Sequence, residues 1–70
     1  MTLTPYQIAT RHMATEVEHI NRLLHTRDLS SAKAKLMLGD AAVAAAKTAG
    51  DTDLVIKYGI HQNRAWFNIL

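Results

Sequence analysis

The sequence predicts an all-α fold, in which two long helices and a short helical C-terminal segment form a small bundle. Apolar residues recur at steps of three and four along the first third of the chain, as they do on one face of a helix. Eight of the eleven alanines lie between Ala32 and Ala49, and alanine is the strongest helix former. Residues that cap helices precede all three segments. With 70 residues, the whole chain, 1–70, is predicted to be one helical domain.

The first helix is predicted to run from Pro5 to about His25. Thr4 is a suitable N-cap, Pro5 suits the first helical position, and Gln7 completes a capping box. One apolar face follows at Tyr6, Ala9, Met13, Val17, Ile20 and Leu24. Together the cap and this face define an amphipathic helix of about six turns.

The second helix is predicted to run from Ser30 to Ala49, with Asp28 or Ser30 as its N-cap. Gly50 follows as a left-handed C-cap. Gly39 lies inside this stretch, where glycine costs about 1 kcal/mol relative to alanine. We favour one helix, which Gly39 would allow to bend, over two shorter helices.

Small residues form a stripe along this second helix and allow another helix to approach closely. The stripe consists of Gly39, Ala42, Ala46 and Ala49. It predicts either packing of the first helix within the monomer or a contact with another chain, as the seam of a homodimer or a groove for a partner. The segment is apolar around most of its circumference, so both uses are compatible with the sequence.

The C-terminal segment has two interpretations. The acidic stretch 51–53 supplies another N-cap, and short helices over Asp53–Tyr58 and His61–Ile69 would follow. Alternatively, the β-branched stretch Leu54–Ile60 and the stretch Arg64–Leu70 would form a hairpin. We favour the helices, because an isolated hairpin needs packing support and its turn would lack Gly or Asp.

Composition excludes several classes of protein. The absence of cysteine excludes disulfides and thiolate metal sites, and no apolar run is long enough for a membrane span. The first ten residues lack the pattern of a signal peptide, so we expect a cytoplasmic protein. The net charge is +2 and the basic residues are scattered, which makes nucleic-acid contact a less favoured expectation.

Histidine is frequent enough to raise the question of a metal. His12, Glu16 and His19 lie on one face of the first helix, with His25 as a conceivable further ligand. A metal bundle of this kind requires more carboxylates than the chain's two glutamates provide. We therefore expect a polar, solvated face and no metal or other cofactor.

Motifs of catalysis are not found in the sequence. It contains no cysteine nucleophile, no Gly-x-Ser-x-Gly motif and no glycine-rich loop. Asp51 and Asp53 lie at a helix start, where backbone NH groups explain them. We expect a protein that is not an enzyme and has no catalytic residues.

Large apolar side chains on the second helix and near the C-terminus are the candidate contacts with another protein. They are Leu36, Met37, Leu38, Val43, Tyr58, Trp66 and Phe67. Arg22 and Arg27 are expected at the rim of this interface, where charges tune the association rate. Each apolar position has burial in the monomer core as its alternative. A chain this short rarely closes its own core, so we also expect a homodimer.

The competing class is a DNA-associated regulator. It would use Arg27, Lys33, Lys35 and Arg64 to contact phosphates. Phosphate binding weakens steeply with salt, whereas an apolar interface barely responds. Salt dependence therefore separates the two classes.

In outline, the chain resembles the Hha/YmoA-like modulators of bacterial gene expression. The shared features are Met1 and Thr2, Tyr6 and Arg11 in the first helix, Leu29 and Ser30 before the second, Ala41 and Ala42 within it, and Trp66 and Ile69 near the end. The resemblance implies a DNA-associated modulator. The chain departs from that family at Val43, Ala44 and Ala45, where the family has the charged stretch expected to meet its nucleoid-protein partner.

The chain is also similar in kind to small phage-encoded proteins that bind and disable a host factor. It shares with them a short, cysteine-free, alanine-rich helical sequence without an active site. One such class silences quorum-sensing transcription regulators. This resemblance implies a non-enzymatic inhibitor that acts on a host regulatory protein in the host cytoplasm.

Overall fold

The computed structural model describes residues 2–70 as three helices packed against one another. They are α1 (Pro5–His25), α2 (Leu29–Ala49) and α3 (Thr52–Ile69). The described residues contain no strand, so the all-α prediction is confirmed. No helix within residues 2–70 combines the length and the apolar character that crossing a membrane requires.

The start of α1 follows the predicted capping box. The Thr4 hydroxyl accepts a hydrogen bond from the Gln7 backbone N–H at 3.2 Å, and the Gln7 side chain accepts one from the Thr4 N–H at 2.9 Å. Pro5 occupies the first turn, where its missing N–H costs nothing. Farther along, α1 is kinked at His12, whose backbone leaves the helical region with φ −135° and ψ 32°.

The two connections between helices have the same construction. Arg27 (φ 64°) and Gly50 (φ 76°) each adopt the left-handed conformation just after a helix. Asp28 follows Arg27 and caps α2, and Asp51 follows Gly50 and caps α3. The N-cap of α2 is thus Asp28 rather than Ser30.

Backbone hydrogen bonds close both connections in the same way. The Asp28 N–H donates to the Leu23 carbonyl at 2.9 Å, and the Asp51 N–H donates to the Ala46 carbonyl at 2.9 Å. In each connection the preceding residue, Arg27 or Gly50, also donates to the carbonyl three residues before it. This pair of bonds is the Schellman motif, which satisfies carbonyls left free at a helix end.

The C-terminal segment is one continuous helix rather than two short helices or a hairpin. Its buried residues are Leu54, Tyr58, Gln62 and Ala65, at steps of four, four and three. This spacing places them on one stripe of a helix, whereas a strand would point alternate residues to opposite faces. The expected break between Tyr58 and His61 and the alternative hairpin are both wrong.

The core consists of two clusters, one toward each end of the bundle. The first contains Ala9, Ala42, Ala46, Leu54 and Tyr58. The second contains Ile20, Leu36 and Ala65, with Leu24, Trp66 and Ile69 packed against it. Since both clusters draw on all three helices, the core is closed within one chain.

The small-residue stripe of α2 packs inside the monomer. Gly39, Ala42 and Ala46 are buried, whereas Ala49 is exposed. No helix boundary occurs at Gly39, so α2 is one helix as predicted. At the point where α2 passes α3, a Cβ on Gly39 would lie only 2.5 Å from Oε1 of Gln62.

Polar contacts between helices fix their relative positions. Lys35 of α2 forms an ion pair with Glu16 of α1 at 2.6 Å, with both side chains largely covered. The Tyr6 hydroxyl donates a hydrogen bond to Oδ2 of Asp51 at 2.9 Å. Because Asp51 also caps α3, this contact joins the start of α1 to the connection between α2 and α3.

Candidate interaction surface

Large apolar side chains remain exposed although the core is closed. Their exposed fractions are 65% for Met37, 58% for Leu38, 55% for Ile56, 48% for Ile60, 82% for Phe67 and 95% for Leu70. They belong to α2 and to α3 with its C-terminal residue. Exposed apolar groups that lie together on a small monomer indicate a contact surface.

The α2 outer face comprises Met37 and Leu38 with the exposed alanines Ala34, Ala41, Ala44 and Ala45. Alanine side chains project little beyond the helix surface, so another helix can approach this face closely. The thioether of Met37 is flexible and can adjust to the shape of a partner. The α2 outer face is therefore apolar and low in relief apart from Met37 and Leu38.

The α3 outer face comprises Ile56, Ile60, Asn63 and Phe67, all at least partly exposed, and Leu70 continues the series just beyond the helix. The residues follow one another at steps of four, three, four and three. This stripe lies opposite the buried stripe of α3, so it points away from the bundle.

A groove of about 450 Å³ lies between α2 and α3. Its lining includes Val43 and Val55 and the α3 residues Ile56, Gly59 and Ile60. No heavy atom lies within 4 Å of the position where Gly59 would carry a Cβ. The groove therefore extends the α3 outer face toward α2.

The structure divides the predicted contact residues between the core and the surface. Leu36 and Tyr58 are buried and pack within the two core clusters, so neither is available to contact a partner. Val43 and Trp66 are half-buried. The remaining apolar candidates, Met37, Leu38 and Phe67, are exposed.

Trp66 is held in place by a neighbouring carboxylate. Its indole Nε1 donates to Oδ2 of Asp40 at 3.0 Å, and the amide of Gln62 donates to Oδ1 of the same carboxylate at 2.9 Å. Asp40 therefore orients two α3 side chains beside the groove. It accepts two of the hydrogen bonds that fix α3 against α2.

The two predicted rim arginines are exposed near the end of α1. Arg22 pairs with Glu18 one turn earlier, at 3.1 Å. Such exposed pairs contribute little to stability. Arg27 occupies the left-handed position of the first connection, where its backbone forms part of the turn between α1 and α2.

Sequence reasoning missed Ile56, Ile60 and Asn63 as surface residues, and it considered Leu70 only as part of an apolar C-terminus that either closes the core or faces another chain. The signal that would have identified them is their four-three-four-three spacing with Phe67. That signal was lost when the segment was divided between two short helices at Gly59. Because α3 is continuous, this spacing places the residues along one face of a single helix.

The pKa values of two tyrosine phenols are raised, and both shifts have structural causes. The hydrogen bond to Asp51 is the main reason that the pKa of Tyr6 is raised. Burial is the main reason that the pKa of Tyr58 is raised, and Glu16 and Asp40 add to it. A raised pKa extends the protonated, hydrogen-bond-donating form of each phenol farther into alkaline solution.

The histidine-rich face of α1 does not form a metal-binding cluster within residues 2–70, where no three His, Asp or Glu side chains are grouped suitably.

Another groove, of about 220 Å³, lies between α1 and α3 and is lined by Asn21, His61, Arg64 and Asn68 among others.

The basic residues proposed for phosphate contact are partly engaged elsewhere. Lys35 is committed to Glu16 in a largely covered ion pair. Arg27, Lys33 and Arg64 are exposed. One of the four charges required by the DNA-binding alternative is therefore neutralised within the bundle.

Comparisons with protein-family models, with curated proteins and with solved structures give no match to this chain.

Proposed function

We propose that this chain is a non-enzymatic protein-interaction module that binds and modulates a regulatory protein, such as a bacterial transcription regulator. The observation that carries the proposal is the coexistence of a closed core with large apolar side chains exposed on two outer faces. These side chains are not needed to complete the core. Exposed apolar groups of this size are typical of surfaces that bind other proteins.

The α2 outer face is the proposed site for the regulatory protein. Met37 and Leu38 provide the bulk, and the neighbouring alanines provide a floor against which an apolar helix can lie. Arg22, in the last turn of α1, and Arg27, in the connection before α2, are both exposed and are the proposed rim charges. The proposed effect is occlusion: the module covers a surface that the regulator needs.

The proposal includes a homodimer and a phage origin. A homodimer is supported by the second apolar face, on α3, which a single regulator bound at α2 would leave uncovered. A phage-encoded inhibitor of quorum-sensing transcription regulation is supported only by the general resemblance in size and composition. In that setting the module would act in the cytoplasm of the host.

The proposal is tested by affinity capture from bacterial lysate, with retained proteins identified by mass spectrometry. The test variant is Met37→Asp with Leu38→Asp, because a charge placed in an apolar contact is strongly unfavourable. The control variant is Thr10→Asp with Thr15→Asp, at two exposed positions on α1. Circular dichroism establishes that both variants fold.

The expected result is a transcription regulator that the wild type and the α1 control retain and the α2 variant loses. Its DNA-binding activity should fall when the wild-type module is added. Retention of the same proteins by all three forms would refute the α2 outer face as the binding site. Capture that disappears at physiological salt would favour the DNA-associated alternative.

A further inference from the structure

We infer that the α3 outer face is a self-association seam, through which two copies of this chain pair their α3 helices in parallel around a central pair of Asn63 side chains. The seam is defined as Ile56, Ile60, Asn63, Phe67 and Leu70. The inference rests on the proposed function, since it assigns the second of the two apolar faces, and it names a second copy of the chain as the occupant.

The spacing of the seam is that of a coiled coil. Its residues follow one another at steps of four, three, four and three over fifteen positions, 56–70. This is the heptad spacing with which two helices pack side chains into one another's gaps. The monomer does not need this stripe, since α3 contacts α1 and α2 through its opposite side.

The position of Asn63 points to a copy of the same chain. It is exposed, and it lies midway along the seam, seven residues from Ile56 and seven from Leu70. A single Asn within an otherwise apolar seam fixes register, because its amide is satisfied by the matching amide of the other helix. In a parallel pair the two-fold axis runs along the seam, so the two Asn63 amides lie opposite one another.

The charges flanking the seam favour a parallel pair. Lys57 and Arg64 lie along one edge of the seam, and Gly59 and Trp66 lie along the other. In a parallel pair each edge faces the opposite edge of the second helix, so Arg64 meets the uncharged side. In an antiparallel pair like edges meet, which would bring Arg64 close to its own copy across the axis.

The available area predicts a reversible dimer. Four large apolar side chains per copy, at roughly 100–150 Å² each, supply on the order of 1,000 Å² across the two-fold axis. This value is close to the lower limit for specific interfaces. We therefore expect dissociation in the micromolar range rather than an obligate dimer.

Sedimentation equilibrium across micromolar to millimolar concentration tests the seam. Wild-type protein should convert from monomer to dimer. Phe67→Ala should raise the dissociation constant about tenfold or more, because both copies lose the side chain. Asn63→Leu should lower it by a similar factor or raise the oligomeric state, because it removes the buried polar pair. Leu38→Ala, a matched control with similar exposure on α2, should leave the constant within about twofold.

Cysteine crosslinking tests the orientation, since the natural chain contains no cysteine. Ile56→Cys should form a disulfide-linked dimer on mild oxidation, and Leu38→Cys, exposed to a similar degree, should remain monomeric under the same conditions. A mixture in which Ile56→Cys links only to Leu70→Cys would overturn the parallel arrangement.

A monomeric mass at every concentration would overturn the seam, and so would a dimer unaffected by both Phe67→Ala and Asn63→Leu. These outcomes are distinct from failure of the proposed function. A monomer that still captures a regulator through Met37 and Leu38 refutes the seam and the homodimer and leaves the α2 binding site standing. A dimer that captures no regulator refutes only the proposed function.

Discussion

The amide of Gln62 fills the space where a side chain at Gly39 would lie. An added Cβ on Gly39 would be 2.5–2.6 Å from the three terminal heavy atoms of the Gln62 side chain. The same amide donates hydrogen bonds to the Leu36 carbonyl at 2.7 Å and to Asp40 at 2.9 Å. The close approach of α2 and α3 thus depends on a missing side chain in one helix and a buried amide in the other.

Gly39→Ala should therefore destabilise the protein, although alanine is the better helix former. The substitution gains about 0.5–1 kcal/mol of helix propensity, but it displaces a buried amide whose lost hydrogen bonds cost about 1–3 kcal/mol. We expect a net loss of about 1–2 kcal/mol in the free energy of unfolding. Urea unfolding followed by circular dichroism measures this loss.

A double-mutant cycle checks the cause. If the Gln62 amide is what obstructs the new methyl group, Gly39→Ala should cost less in a Gln62→Ala background than in the wild type. Equal costs in the two backgrounds would show that the amide is not responsible. Residues in direct contact commonly show coupling of about 0.5–3 kcal/mol.

Gly59→Ala should have the opposite effect. Gly59 also lies inside a helix, but no heavy atom lies within 4 Å of the position of an added Cβ. The helix-propensity gain is then uncompensated, and the free energy of unfolding should rise by about 0.5–1 kcal/mol. Urea unfolding at a concentration well below the dissociation constant of the dimer, followed by the fluorescence of Trp66, isolates the monomer. A decrease in stability would contradict the open groove beside α3.

The left-handed residue in each connection gives a third prediction. Arg27 adopts φ 64°, a conformation that costs a non-glycine residue about 1 kcal/mol or more. Arg27→Gly should relieve this strain, and the greater flexibility of the unfolded chain offsets part of the gain. We expect stabilisation of up to about 1 kcal/mol, measured as a higher midpoint of thermal unfolding.

Gly50→Ala is the matched control for Arg27→Gly. It places a side chain in the same conformation at the equivalent point of the second connection, with no steric neighbour within 4 Å. It should therefore destabilise by about 1 kcal/mol. If both substitutions shifted the midpoint in the same direction, backbone strain would not be the cause.

The sequence was sufficient to predict α1 and α2, because local chemistry determines their ends. The capping box at Thr4 and the left-handed Gly50 are recognisable from neighbouring residues alone. The continuity of α3 was not predictable in this way. The propensities of Leu54–Ile60 are compatible with a strand, and only packing of Leu54 and Tyr58 against the alanines of α2 decides for a helix.

The contact surface was less predictable, because periodicity does not say which face of an apolar helix is buried. Leu36 and Met37 are adjacent apolar residues of α2, yet one is fully buried and the other 65% exposed. Leu36 packs against Ile20 and Ala65, on the side of α2 where Gly39 meets Gln62, and Met37 lies outside that contact. A contact between residues 39 and 62 is tertiary information that the local sequence does not contain.

The two tyrosines predict a loss of stability in alkaline solution. The pKa of Tyr6 and the pKa of Tyr58 are both raised above the ordinary value of 10.0 in the folded protein. Below this value both phenols are protonated whether or not the chain is folded, so their full contribution to the free energy of unfolding is present. As pH rises above it, the unfolded chain loses these protons first, so the free energy of unfolding falls.

The measurement compares urea unfolding midpoints at neutral pH and about one unit above pH 10.0, followed by the fluorescence of the single Trp66. The wild type should lose more stability between the two conditions than a variant with Tyr6→Phe and Tyr58→Phe. Both proteins carry the same lysines, so effects of lysine titration are shared and the difference reports on the phenols. Equal losses in the two proteins would show that neither tyrosine is linked to folding.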